Sequence, residues 1–390
     1  MKVVGLGLCL AFVIPAGASA HQVEVNSTRE SEPRRSPCLR PLELPRKPTW
    51  SWSAAPGMRA QVWQWKDSRA GAGHLRVASV QMHAGRGVIK PVARIPTMTD
   101  PATEARARGS VAVLNGDFFD TLPRGDALPQ GALIIDREPV FVPVGWSRVV
   151  VWNAKDRLRT THVRLAASLT SSDDSVRVQA LNDPLVKGRQ LSVMTSAWHR
   201  THVPDGLAAI VVKDDRVAAV HRKAKAVRIP QKGYVVVAAT AAVLPRVKMR
   251  DALRLTLGVE TSDYQEIIHA AGHGGVALKD GQLQPVCSDY ERLPRPRSML
   301  AWSKDGRAWF LTASSGLPDS SEGLRRGGMT KTELARIARQ LGADTAVVLD
   351  GGGSTALYSR RGDGVRRMDM PGDSWVRPIP VLWQMSASPQ

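Results

Sequence analysis

The run Asp350-Gly351-Gly352-Gly353-Ser354-Thr355 sets one carboxylate beside three residues that lack a Cβ. A loop of that kind lets a ligand approach the backbone closely. Its N–H groups suit an anionic oxygen, and Asp350 beside them can serve as acid, base or metal ligand. The same string also fits a tight turn whose Asp caps the next segment. Asn115-Gly116-Asp117-Phe118-Phe119-Asp120 offers a second carboxyl, Asp117, two residues after an amide. Asn-Gly is a strong hairpin signal, so a plain turn with both phenylalanines in the core competes with a role for Asn115 and Asp117 on a sugar or metal. Arg297-Ser298 joins a forked cation to a hydroxyl, a pair suited to phosphate, although surface arginines are common in so Arg-rich a chain. His269 and His273 stand four apart, but the Glu of a zinc-protease helix is missing and Gly272-His273-Gly274-Gly275 opposes a helix. In such a loop His273 can exchange a proton or make a structural hydrogen bond. No Cys-based metal site, Walker loop, Gly-x-Ser-x-Gly elbow or dinucleotide fingerprint is present.

The elements that must carry these residues are partly legible. The apolar runs Ser110 to Leu114 and Ala346 to Leu349 read as strands that deliver Asn115 and Asp350 at their ends. Between Thr330 and Gly342 a helix is predicted. Thr330 and Glu333 form a capping box, Leu334, Ile337, Ala338 and Leu341 share one face, and Gly342 supplies the left-handed stop. Short apolar runs at 60–65, 148–152, 208–212, 233–238 and 309–311 read as further strands, with Lys-Asp-Gly at 279–281 and 304–306 as turns between paired strands. The pattern predicts an α+β fold, with strand-rich mixed sheets and a few helices in one large domain over 55–390.

Composition bounds the rest. The 390 residues carry 54 Lys and Arg against 35 Asp and Glu, a formal charge of +19, with 43% hydrophobic residues. That excludes a disordered chain, a collagen-like chain and a multi-span membrane protein. Residues 1–20 have the form of a secretory signal peptide: Lys2, an apolar run from Val3 to Ile14, then Ala18-Ser19-Ala20. The run is too short to span a bilayer, so an exported product, periplasmic or secreted, without a transmembrane segment after cleavage is expected. Residues 21–54, rich in Pro and Arg, read as a flexible leader. Cleavage leaves Cys38 and Cys287, which in an oxidising compartment could pair. The basic charge suits an anionic partner and also a G+C-rich coding sequence. No nucleic-acid motif accompanies it, so nucleic acid is not expected as a partner.

Taken together, the motifs resemble the phosphodiester glycosidase family, whose known activity removes N-acetylglucosamine from a sugar-1-phosphodiester. Gly328-Met329-Thr330 through Glu333-Leu334-Ala335 to the Asp350 loop is similar to that family's Gly-Met-Thr helix and Asp-Gly-Gly-Gly-Ser loop. Asn115 to Phe119 is similar to its Asn-Gly-Gly-Phe-Phe, with Asp117 in place of a glycine. Arg297 to Ala301 is similar to Arg-Thr-Ala-Ile-Gly, and Val376 to Val381 to Glu-Arg-Pro-Val-Pro-Asn with the Glu and Asn replaced. The resemblance implies a hydrolase, exported by the signal pattern above, acting on a carbohydrate phosphodiester or an anionic envelope glycan. It implies Asp350 as base or nucleophile and Asp117 or His273 as the second proton-handling group. Arg297, Ser298 and the loop N–H groups of Gly351, Gly352, Gly353 and Ser354 are expected on the phosphate, and Asn115 on sugar hydroxyls. No cofactor is required, while a divalent cation at an Asp- and Asn-containing site remains open. A non-catalytic binder of anionic envelope polysaccharide and a metal-dependent phosphodiesterase are the competing readings.

Overall fold

The computed structural model describes residues 42–388 apart from 68–73, 108, 154, 156, 173, 263–265, 285–292, 316–326 and 371–376. The expected signal peptide, and Cys38 and Cys287, lie outside the described residues. Alternation of period two governs much of what is described. In the strand Leu158–Thr170, the side chains of Thr161, Val163, Leu165, Ala167 and Leu169 turn inward and their neighbours face outward. Where both faces are covered the alternation disappears, and Ala308–Ser314 is buried throughout.

The strands form an eight-stranded sheet, a seven-stranded sheet, two five-stranded sheets and a two-stranded ribbon. One face of the eight-stranded sheet carries Val77, Met299, Ala301, Leu311 and Val348 against Leu334, Ala335, Ile337 and Ala338 of the helix Lys331–Gln340. Its other face carries Val80, Leu300, Phe310 and Val347 against Leu114, Leu357, Trp383 and Met385 of one five-stranded sheet. Val149, Val163 and Leu165 of the seven-stranded sheet pack with Val193, Ile210 and Val236 of the other five-stranded sheet. The fold is therefore α+β and mostly strand, with two α-helices among the described residues.

The local signals hold where they are strongest. Thr330 Oγ1 accepts from Glu333 N (3.1 Å) and Glu333 Oε2 from Thr330 N (2.8 Å), which closes the capping box. Gly342 has φ +96°, a left-handed stop without a Cβ penalty. Asp280 and Gly281, at φ 50° and 75°, turn the hairpin between Gly275–Lys279 and Gln282–Leu283 with the hand that matches strand twist. The packed chain starts earlier than the expected boundary at 55. Leu42 is buried with Trp63 and Leu75, and Trp50–Ala55 pairs with the strand Met58–Lys66. The surrounding Pro and Arg masked a short Trp-Ser-Trp-Ser edge strand.

Candidate active site

Three sheets end at one place. Ser110–Asn115 is the middle strand of a five-stranded sheet, and Asp117 lies two residues past its end. Thr345–Val348 lies between Arg297–Trp302 and Gly275–Lys279 in the eight-stranded sheet, with Asp350 two residues beyond. His273 occupies the crossover from Ile267–Gly272, in the seven-stranded sheet, to Gly275–Lys279.

The Asn115 side chain ties two of these ends together. Its Nδ2 donates to the Asp350 carbonyl (2.7 Å), while its Oδ1 accepts from Ser298 Oγ (2.5 Å) and Ala356 N (3.1 Å). Asp350 N returns a bond to the Gly116 carbonyl (3.0 Å). Asn115 and Ser298 are fully buried, so both are spent inside the protein. Their expected contacts with sugar hydroxyls and phosphate give way to a lock that fixes the Asp350 loop.

A cleft of about 380 Å³ opens over the convergence, with Asp117, Phe118, Trp146, Arg148, His273 and Lys331 among its walls. Asp117 is 4% exposed, and both its oxygens accept backbone N–H groups, from Phe118 (2.8 Å) and Gly131 (2.7 Å). Burial outweighs these bonds and, aided by the nearby Asp350 charge, pushes the carboxyl up to about 7, while Arg148 pulls the other way. Glycines make this nest: a Cβ on Gly272 would overlap the Asp117 carboxyl, and one on Gly274 would overlap the Phe118 ring. The glycine-rich segment therefore serves close packing.

His273 is also buried, at 7% exposed. Burial, with Arg148 next in effect, pushes its imidazole down to about 4. Its Nδ1 accepts from Gly275 N (3.1 Å), so the neutral ring carries its proton on Nε2. At neutral pH His273 is thus a hydrogen-bond donor rather than a base. Burial also raises the Asp350 carboxyl, opposed by Ser354, by the Gly351 N–H (2.8 Å) and by Arg377. The Arg377 guanidinium lies over the Phe119 ring at 4.9 Å.

Of the residues expected at the site, Asp117 and His273 meet in the cleft, with Asp350 close enough to shift Asp117. Arg297 does not face the cleft. It is buried, and it donates to the carbonyls of Met329 (3.3 Å) and Leu293 (3.1 Å), pinning the entry to the helix. The glycine-loop N–H groups are largely committed too: Gly351 to Asp350, Gly352 to Pro296 O (2.9 Å) and Ser354 to Gly351 O (3.2 Å). Sequence reasoning missed the cations that do line the cleft, Arg148 and Lys331. Arg148 had one signal, as the only charged residue in the run Ser147–Asn153. Among the described residues, no group of three or more His, Cys, Asp or Glu side chains is gathered to hold a metal.

The sequence profile of the phosphodiester glycosidase family matches residues 206–384, a span that includes His273 and Asp350 and begins after Asp117. No curated protein matches the chain. Among solved structures, a hypothetical protein from Synechocystis superposes with a TM-score of 0.66 at 20% identity, over 85% of this chain and 62% of its own. This chain therefore spans less than two thirds of that protein's length. A protein from Burkholderia pseudomallei K96243 described as exported gives 0.63 at 18% identity, over 82% and 76%. The catalytic domain of zebrafish N-acetylglucosamine-1-phosphodiester alpha-N-acetylglucosaminidase, auto-inhibited by its pro-peptide, gives 0.41 at 11% identity, over 86% and 87%. At these identities the first two likenesses are ones of fold, and the third carries no argument. Residues 206–384 of this chain, under half of its length, are thus similar to the phosphodiester glycosidase family.

Proposed function

We propose that this protein is an exported hydrolase that cleaves the bond between an anomeric carbon and a phosphodiester oxygen of a sugar-1-phosphodiester. The observation that carries the reading is a carboxyl poised near neutrality, Asp117, in a cleft that also holds Arg148 and Lys331. The match of residues 206–384 to the phosphodiester glycosidase family and the N-terminal signal pattern support it.

Departure of the phosphate leaves positive charge on the sugar ring, and a carboxylate near the anomeric carbon stabilises it or captures it. Asp350 takes that role. The departing phosphomonoester carries its own negative charge, which Arg148 and Lys331 offset in place of Arg297 and Ser298. Asp117, partly protonated near pH 7, supplies a proton to the leaving oxygen, and His273, whose Nδ1 is taken by Gly275 N, offers its Nε2 proton to the substrate. A bound divalent cation remains open to test, since Asp350 and Asp117 are oxygen donors.

Release of free sugar from an α-N-acetylglucosamine-1-phosphodiester, with and without chelator, tests the reading. The wild type is expected to release sugar and Asp350→Asn to be slower by about 10²-fold or more. Equal rates in the two folded proteins would refute the role of Asp350. No release by wild type would favour the competing reading, a non-catalytic binder of anionic glycan.

A further inference from the structure

The turn Lys248-Met249-Arg250-Asp251 is stitched to the edge strand Arg216–His221 of a five-stranded sheet. Asp251 N closes the turn onto the Lys248 carbonyl (3.2 Å), and Asp251 Oδ2 accepts from Lys248 N (2.6 Å). Arg250 N donates to the Val217 carbonyl and Val217 N to the Asp251 carbonyl (both 2.9 Å). Arg216 Nη1 adds a bond to the Arg250 carbonyl (3.1 Å). Leu244 and Val247, just before the turn, pack into the core. Met249 does not: at 58% it is the most exposed large apolar side chain among the described residues. Arg250 has φ +72°, which glycine adopts more easily, so the chain carries some strain to present a guanidinium there. Lys213 lies opposite Arg216 in its hairpin, and Arg216 opposite Ala252, which gathers Lys213, Arg216, Arg246, Lys248, Arg250 and Arg254 at one rim. All six are exposed, and the ion pair of Arg254 with Asp215 is loose at 4.0 Å. The ladder from Thr170↔Arg254 at this rim to Arg164↔Glu260 beside Trp146 of the cleft covers six residues, about 20 Å. The rim is therefore separate from the cleft.

We propose that this rim docks the protein on an anionic lipid bilayer, with Met249 entering the acyl boundary and the surrounding cations meeting headgroup phosphates. The charge calls for an anionic partner, and the exposed methionine selects lipid among such partners. A soluble polyanion would use the cations and leave the thioether in water, whereas a bilayer takes up both. Docking of this kind is independent of the glycosidase chemistry and is read without turnover.

The test sediments the full chain with vesicles of phosphatidylcholine, alone or with about 30% phosphatidylglycerol. Binding is expected to the anionic vesicles only, and to weaken about tenfold or more between 0.05 and 0.5 M salt. Lys248→Ala with Arg250→Ala should weaken it about 20-fold and Met249→Ser about fivefold. Arg222→Ala with Lys223→Ala, exposed cations just past the other end of the edge strand, should change it by less than about threefold. In Met249→Trp, brominated acyl chains should quench fluorescence beyond the wild-type level, which adsorption through charge alone does not produce. Binding that ignores lipid charge, or that survives loss of Met249 unchanged, would overturn the proposal. Retention on immobilised dextran sulfate as strong as on vesicles, and indifferent to Met249, would assign the rim to a soluble polyanion instead. Absence of vesicle binding would overturn it whether or not the protein hydrolyses a diester.

Discussion

At the scale of single residues, the account turns on two buried carboxyls raised by burial, Asp117 and Asp350, and an imidazole lowered by it, His273. Asp117, raised to about 7, must be protonated to act as an acid, so activity should fall as pH rises through about 7. Asp350 must be ionised, so activity should also fall at low pH, from above the ordinary carboxylate value because burial raises this carboxyl. A bell-shaped kcat/KM profile is expected, and Asp117→Asn should lose the alkaline limb together with about 10²-fold in rate. An alkaline limb that survives in that variant would assign it to another group. His273 makes a separate prediction. Its folded value of about 4 lies below the usual 6.5, so the unfolded chain binds the proton first and His273 costs stability as pH falls through that window. Urea midpoints of His273→Gln should therefore gain on wild type as pH drops from 6.5 to 4. A constant difference would mean the imidazole titrates normally. The residue types were legible in sequence, but Asn115, Ser298 and Arg297 were read outward when they point inward. An amide, hydroxyl or guanidinium has the same hydrogen-bonding capacity toward a sugar, a phosphate or a carbonyl, and only tertiary burial decides which partner it meets.

At the scale of elements, catalytic geometry depends on strand ends held by side chains and glycines. Asn115→Ala would strand the Asp350 carbonyl, Ser298 Oγ and Ala356 N in a buried setting. A loss on the order of 3 kcal/mol in stability is expected, with kcat falling more than KM because the Asp350 loop is loosened. Chemical denaturation and steady-state kinetics on the same preparation check both parts. Unchanged kcat would limit the amide to a stability role. Gly272→Ala should push the Asp117 carboxyl out of its nest and abolish the alkaline limb while the overall fold is kept, which the pH profile and circular dichroism together can read. The helix and its caps were legible because their signals lie within 13 residues, from Thr330 to Gly342. Strand order was not. Thr345–Val348 pairs with strands that begin at Arg297 and Gly275, and nothing local in the sequence specifies such neighbours.

At the scale of the molecule, the charge of +19 concentrates in places. Between Lys213 and Arg254 there are eleven Lys and Arg against three Asp, and most are exposed. Such a field should draw anionic substrates in, so KM for a diester should rise about threefold or more between 0.05 and 0.5 M salt. A KM indifferent to salt would leave recognition to the cleft alone. Elsewhere charge is structural. Arg367 and Asp369 pair at 3.0 Å, both almost fully buried, and Asp369 also accepts from Leu357 N (3.0 Å). The overall class, strand-rich with few helices, followed from short apolar runs between turns. The start of the packed chain did not, because an edge strand of only six residues, Trp50–Ala55, follows a Pro- and Arg-rich segment.

The central claim is that the scissile bond is C–O at the anomeric carbon. Hydrolysis of a sugar-1-phosphodiester in ¹⁸O-labelled water reads this directly by mass spectrometry of the products. The account predicts the label in the released sugar and an unlabelled phosphomonoester. Label in the phosphate would contradict it and establish P–O cleavage instead.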